Sequence, residues 1–328
     1  MAPSLDAERS SYLEPHEWLM TVSHRFFHSF RDYQGGKELP FPSPPEYYAQ
    51  TRVHTFDVSL THAFTKRLSM TLELPFEKGS RETYFEHDGV SRHTMRAAGL
   101  QDVRLIGNFW LLDPDKNPHQ NVSVSVGVKA PTGDSGATDV SYRGDARVVR
   151  PVDPAIQPGD GGWGLVLGTQ AFKRLSKHTF VYLQGTYLSN PREMNGTQTP
   201  FGDQPAITGG DIGYIVDSVP DQYLGQIGIT QTVWVEKRLS LTFGVRIDGV
   251  PSLDLIGGSE GWRLPGYNIS LEPGLAISRG RNSFSFTVPV AVKSHGGTSL
   301  ADARTHSPFA GIVSLADSQI TFNYSRRF

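Results

Sequence analysis

The feature that most limits what this chain can become is a strict alternation of apolar and polar residues, repeated in segments of about ten residues, as a strand with two different faces requires. Asn121 to Ala130 shows it best. Val122, Val124, Val126, Val128 and Ala130 fall on one side of an extended chain, and Asn121, Ser123, Ser125, Gly127 and Lys129 on the other. The same reading sets Leu68, Met70, Leu72, Leu74 and Phe76 against Ser69, Thr71 and Glu73. It also sets Leu239, Leu241, Phe243, Val245 and Ile247 against Ser240, Thr242, Gly244 and Arg246. Further segments run Trp18 to Phe30, Arg52 to Phe64, Leu100 to Leu112, Gly162 to Phe172, Thr179 to Ser189, Tyr223 to Val235, Asn268 to Ile277, Ser283 to Lys293 and Ser318 to Phe328. That makes about twelve strands, an even number, as a single-chain barrel with both termini on the periplasmic side needs.

The connections alternate between two length classes. The chain turns within a few residues after Phe64, Phe172, Val235 and Ile277, and within about eight after Leu112. After Phe30, Phe76, Ala130, Ser189, Ile247 and Lys293 it enters long stretches rich in Gly, Pro, Asp and Asn. Short turns at one end and long loops at the other match an outer-membrane barrel, whereas a soluble sandwich has no reason to keep that asymmetry. The expected fold is therefore all-β: a transmembrane antiparallel up-and-down β-barrel with short periplasmic turns and long extracellular loops. Residues 17–328 form this single domain, preceded by a periplasmic N-terminal segment over 1–16.

Composition excludes several other classes. The chain has no cysteine, so disulfides, thiolate metal sites and cysteine nucleophiles are out. Its formal net charge of -2 gives no basic surface for nucleic acid. No stretch reaches the roughly 18 apolar residues of a membrane helix, which says nothing against strands. Met1 to Glu17 lacks a basic region followed by an apolar core, so the expectation is a mature form whose leader has been removed.

Four short stretches carry a family likeness, in chain order. They are the opening Glu17 to Gly35 (EWLMTVSHRFFHSFRDYQG), Gly99-Leu100-Gln101-Asp102-Val103, the run Gly127 to Asp134 (GVKAPTGD), and Ile156 to Trp163 (IQPGDGGW). Together they resemble the outer-membrane family named for the meta-cleavage pathway of phenol degradation, over nearly the whole chain. The resemblance implies a bacterial outer-membrane barrel that passes small hydrophobic or aromatic molecules.

No catalytic residue, cofactor or metal site is nominated. His24 and His28 are four apart, which on a strand places them on one face about 13 Å apart at roughly 3.3 Å per residue, too far to share an ion. His54 and His62 suit membrane interfaces, and His295 to His306 lies in a loop. An outer-membrane lipase is the best enzymatic alternative, yet no Gly-x-Ser-x-Gly elbow is present. The chemistry-bearing set is instead the charged residues expected on the inward faces: Arg25, Asp57, Glu73, Asp102, Arg104, Lys129, Arg246, Glu272 and Lys293. A barrel of this size leaves a narrow lumen in which such charges either pair into a polar core or select what passes.

The terminal strand ends on Phe328, which resembles the signal read by bacterial barrel-assembly machinery. Lys66-Arg67-Leu68-Ser69, Lys173-Arg174-Leu175-Ser176 and Lys237-Arg238-Leu239-Ser240 mark three periplasmic turns. Expected partners are outer-membrane lipid, the assembly machinery and small-molecule solutes, with the long loops Pro131 to Asp160 and Asn190 to Asp221 able to plug the lumen or meet envelope proteins. The competing functional reading is a non-conducting structural barrel that anchors a larger envelope assembly.

Overall fold

The structure, a computed structural model, describes residues 12–200 and 202–328. Most of the expected N-terminal segment, residues 1–11, lies outside the described residues. The barrel strands are β1 (Trp18–Ser29), β2 (Ala49–Ala63), β3 (Leu68–Thr83), β4 (His93–Leu100 and Arg104–Trp110), β5 (Gln120–Lys129) and β6 (Gly164–Arg174). There follow β7 (Thr179–Ser189), β8 (Gln222–Trp234), β9 (Leu239–Val250), β10 (Gly266–Arg279), β11 (Asn282–Thr287 and Val290–Gly296) and β12 (Ser318–Arg327). Each pairs antiparallel with its neighbours in sequence, and β12 closes on β1 from Leu19 opposite Arg327 to His28 opposite Ser318. The result is the closed twelve-strand transmembrane barrel that the alternation demands, with no free sheet edge around the girth.

The two faces separate as the side-chain period requires. Along β5 burial alternates residue by residue: Val122, Val124, Val126 and Val128 are exposed, while Asn121, Ser123, Ser125 and Lys129 are buried toward the axis. Phe56, Leu60, Phe76, Leu72, Ile227, Leu241 and Phe243 continue the exposed apolar belt around the wall, a surface suited only to hydrocarbon. At the short-turn end the basic residues of the repeated turns lie over aromatic rings, Arg67 on Phe109 at 4.6 Å, Arg174 on Phe180 at 5.1 Å and Lys237 on Trp234 at 4.0 Å. Phe328 donates its backbone N–H to the Trp18 carbonyl at 2.9 Å, so the last residue lies against the first strand.

Two strands are interrupted, for different reasons. In β11 the break falls at Val288 and Pro289, where proline has no N–H for the ladder. The Pro289 carbonyl still accepts from Gln319 at 3.0 Å. In β4 the break is Gln101 to Val103, and its backbone groups find partners outside the regular ladder. Thr132 Oγ1 donates to the Gln101 carbonyl at 3.0 Å and accepts from the Val103 N–H at 2.9 Å. Ala130 donates to the Val103 carbonyl at 2.9 Å. Above this break β4 continues its ladder with β3 alone, because β5 ends at Lys129 opposite Arg104, and its Arg96 N–H donates instead to Asp139 of the following loop at 2.7 Å.

The apolar cluster at the long-loop end of the lumen is completed by a loop. The long connection 130–163 turns inward, and its Val152 and Ile156 pack with Val53 of β2 and Met95 of β4, all fully or almost fully buried. Gly79 allows the approach: a Cβ there would lie 2.6 Å from the Ile156 Cβ. At the other end Tyr12 enters the lumen, its ring edge-on to Trp110 at 5.2 Å and to Phe172 at 5.8 Å. Its carbonyl accepts from Arg327 at 3.1 Å.

Candidate functional site

Antiparallel register places Glu73, Arg104 and Lys129 directly opposite one another across β3, β4 and β5, all on the inward face. Like charges directly opposite are unfavourable; Arg104 has Glu73 as its other cross-strand neighbour, and Lys129 needs carboxylates from elsewhere. Lys129 has two: its ammonium donates to Asp160 and lies 3.6 Å from Asp102. Burial raises the Asp160 carboxyl pKa, opposed by the Lys129 charge beside it. Asp102, standing in the break of β4, also accepts from the Gly133 N–H at 2.9 Å and the Asp160 N–H at 3.3 Å.

Three of the four stretches that carried the family likeness meet at this point. Gln101 to Val103, Thr132 to Asp134 and Pro158 to Asp160 form one knot around the Lys129 ammonium. Gly133 and Gly159 touch backbone to backbone, and a Cβ on Gly159 would lie 2.4 Å from the Gly133 carbonyl carbon. Glycine is required at both positions by that close approach. The fourth stretch supplies Arg25 on β1, which lies below the knot.

Two cavities stack along the axis, about 640 Å³ toward the short-turn end and about 410 Å³ beneath the long loops. Arg25, Glu73, Arg104 and Arg246 line the first, and Arg25, Asp102, Arg104 and Lys129 the second. Arg25 and Arg104 border both and so mark the waist, together with Leu188, Leu264 and Leu315. The Nε atoms of Arg25 and Arg104 are buried and have no hydrogen-bond partner among the described residues. Arg25 does donate from Nη2 to Thr55 at a long 3.4 Å. Arg246 is different, paired to Asp248 at 2.8 Å. Gln222 and Val250 border both cavities as well, so the waist combines guanidinium edges with mainly apolar side chains.

The remaining expected residues fall elsewhere. Asp57 is inward but lines neither cavity, and it interacts electrostatically with Arg25, Glu73 and Arg104. Glu272 lies in a row with Gly244, Gly228 and Tyr182 across β7 to β10. The Tyr182 ring lies over the two glycines, and a Cβ on Gly244 would sit 2.9 Å from its hydroxyl. Lys293 is a correction. A register shift between Ile269 and Ser270 sets Lys293 opposite outward-facing Ile269, so it is exposed on the outer wall and does not line the lumen. The bulge puts Val292 and Lys293 on one face in succession, which the period-two rule cannot anticipate.

Asp160, Glu77, Asp248 and Tyr12 belong to the lumen and were missed by the inward-face reading. Glu77, which accepts from the Gln101 side chain, and Asp248 carry the right periodicity but lie beyond or at the very end of the apolar runs read as strands. Asp160 and Tyr12 lie outside the strands, where periodicity has nothing to say.

No family model matches the chain, and no curated protein matches it. Among solved structures it is similar to an outer membrane channel from Pseudomonas putida F1, with a TM-score of 0.62 at 13% identity, covering 100% of both chains. It is also similar, at a TM-score of 0.47 and 10% identity over 96% of this chain and 100% of the other, to the beta domain of the Bordetella autotransporter BrkA. At such identities the first likeness shows the fold alone, that of outer-membrane barrels.

Proposed function

We propose that this chain is a bacterial outer-membrane channel for passive passage of small solutes, above all those with an apolar or aromatic body and one polar or anionic group. The observation that carries this reading is the waist. Two cavities of small-molecule size adjoin there, and the unpartnered Nε edges of Arg25 and Arg104 share the lining with leucines. A guanidinium offers a planar fork to a carboxylate or phenolate, and the leucines accept the ring. The family resemblance and the channel-like fold of the Pseudomonas neighbour point the same way. Signal recognition through Phe328 by the assembly machinery belongs to the same proposal, since an outer-membrane barrel must be inserted.

A structural barrel without conduction is less favoured, because an anchoring role gives no reason to leave cation edges unpaired inside a wall. The test is single-channel recording of detergent-purified protein in a planar bilayer, with benzoate and phenol added as blockers. Discrete steps blocked more strongly by benzoate than by an aliphatic alcohol of similar size support the reading. Silence from protein verified as folded overturns it.

A further inference from the structure

The outer wall carries a group of cations with no part in the lumen. On the outward face of β1 to β4, His28, Arg52, Ser80 and Arg96 form one cross-strand row, and Phe26, His54, Lys78 and Ala98 the row beneath. Below that come His24, Phe56, Phe76 and Leu100, where the exposed apolar belt begins. Arg52, Lys78 and Arg96 are all exposed. Arg52 reaches only Gln50, at 3.2 Å, and Lys78 and Arg96 have no side-chain partner among the described residues. Two carboxylates of neighbouring positions are otherwise engaged: Glu82 pairs with Arg92 at 3.5 Å, and Asp139 accepts from the Arg96 backbone N–H at 2.7 Å.

Height fixes what these cations meet. From Phe64, exposed at the short-turn end, to Arg52 is twelve residues, about 40 Å along the strand and about 30 Å along the normal at a tilt near 40°. That is just above an apolar belt of about 25 Å, at the headgroup level of the leaflet on the long-loop side. Arg52 and Arg96 are two strand spacings apart, about 10 Å, with Lys78 on the strand between and one pair lower. Its stem can follow the wall upward to bring the ammonium level with them. The row at the long-loop end of the other half of the barrel is neutral and aromatic: Tyr187, Tyr223 and Tyr267, joined through Gly249. Arg52, Lys78 and Arg96 thus cluster in one sector, and the exposed Lys293 on β11 stands apart from them.

We propose that Arg52, Lys78 and Arg96 form a binding site for the phosphate of a phosphorylated glycolipid in the outer leaflet, with its acyl chains lying on Phe26, Phe56 and Phe76. Arginine suits this by its fork of donors to phosphate oxygens, and a desolvated position at the interface strengthens each contact. The inference rests on the outer-membrane placement and not on conduction.

The test uses full-length protein in detergent with a chelator present, titrated with purified bis-phosphorylated lipid A. Three variants are compared with the native chain: the triple Arg52→Gln, Lys78→Gln and Arg96→Gln, the single Lys78→Gln, and the charge-keeping pair Arg52→Lys and Arg96→Lys. Retained resistance to unfolding in cold dodecyl sulfate reports the folded barrel. The expected result is at least about a tenfold weaker lipid A affinity in the triple variant, worth about 1.4 kcal/mol or more, a smaller loss in the single and partial retention in the charge-keeping pair. Dephosphorylated lipid should bind the native chain as weakly as lipid A binds the triple variant. Equal affinity of native and triple proteins overturns the site. Competition by millimolar inorganic phosphate as strong as by lipid A makes it a free-anion site and overturns the lipid assignment. Lipid binding that survives in a protein silent in bilayers separates this inference from the channel reading.

Discussion

Arg104 and Lys129 face each other across an antiparallel pair, yet their charges are handled in opposite ways. Lys129 is clasped between Asp102 and Asp160, whereas the buried Nε of Arg104 has no partner among the described residues. One is a structural cation that holds a loop in the lumen. The other is left at the waist.

Replacing the two should therefore give different phenotypes. Arg104→Ala is expected to raise the cation-over-anion permeability ratio severalfold, read from reversal potentials in a salt gradient, with the folded barrel intact. Lys129→Ala leaves Asp102 and Asp160 buried without their counter-ion, a loss on the order of 3 to 5 kcal/mol. Its signature is new protease sensitivity within 131–163, and a loop that stays resistant would refute the role given to Lys129.

Gly159→Val should free the same loop without touching a charge. The added carbons would overlap the Gly133 backbone, so one segment must retreat and the Asp160 contact with Lys129 lengthens. Proteolysis of 131–163 and a larger unitary conductance are expected together. A variant indistinguishable from the native chain in both would show that the two glycines do not set the loop.

Gly244→Leu tests the Tyr182 seat. The ring lies over Gly228 and Gly244, and a leucine would push it out of that seat at a cost of roughly 1 to 3 kcal/mol. The heat-induced mobility shift of the folded barrel should move to lower temperature. Tyr182→Ala in the same background is expected to recover part of the loss, since it removes the colliding ring.

The extracellular cluster around His87 carries the pH dependence. The Tyr142 N–H donates to His87 Nδ1 at 3.1 Å, and the ring lies 5.2 Å from that of His93. Burial first, then the charges of His93 and Arg143, lower the His87 pKa from 6.5 to about 4. The unfolded segment takes up a proton below pH 6.5 while the folded one stays neutral until about 4, so the stability contributed by neutral His87 is present above 6.5 and lost as pH falls toward 4. Glu86, pushed up to about 7 mainly by burial, acts in the opposite sense, so the comparison is between native protein and His87→Gln. From pH 7 to 5 the protection of amides in 138–143, taken relative to their intrinsic exchange rate, should fall more in the native chain than in the variant. An equal fall would remove His87 as the cause.

The wall was legible in the sequence because its code is short-ranged. Each residue of Asn121 to Ala130 declares its face by its own polarity, and hydrocarbon outside rewards the same choice at every second position. The lumen was legible only where it is made of strand. Arg25, Glu73, Arg104 and Lys129 follow from alternation, but Asp160 reaches Lys129 through a glycine-to-glycine contact between two distant stretches of chain. Tyr12 likewise enters from outside any strand. At Lys293 a single extra residue in the ladder reversed the face, and nothing in the local composition of Val292-Lys293-Ser294 marks it.

The seam between β1 and β12 has a consequence for how the barrel is made. Trp18 and Phe328 are hydrogen-bonded neighbours although nearly the entire chain separates them, so the last contact to form is also the one of longest sequence range. Until Ser318 to Arg327 arrive, β1 and β11 both present open edges capable of pairing with any other strand. A chain that stops before Ser318 keeps most of its wall and none of its closure, and becomes a template for aggregation in the compartment it has to cross.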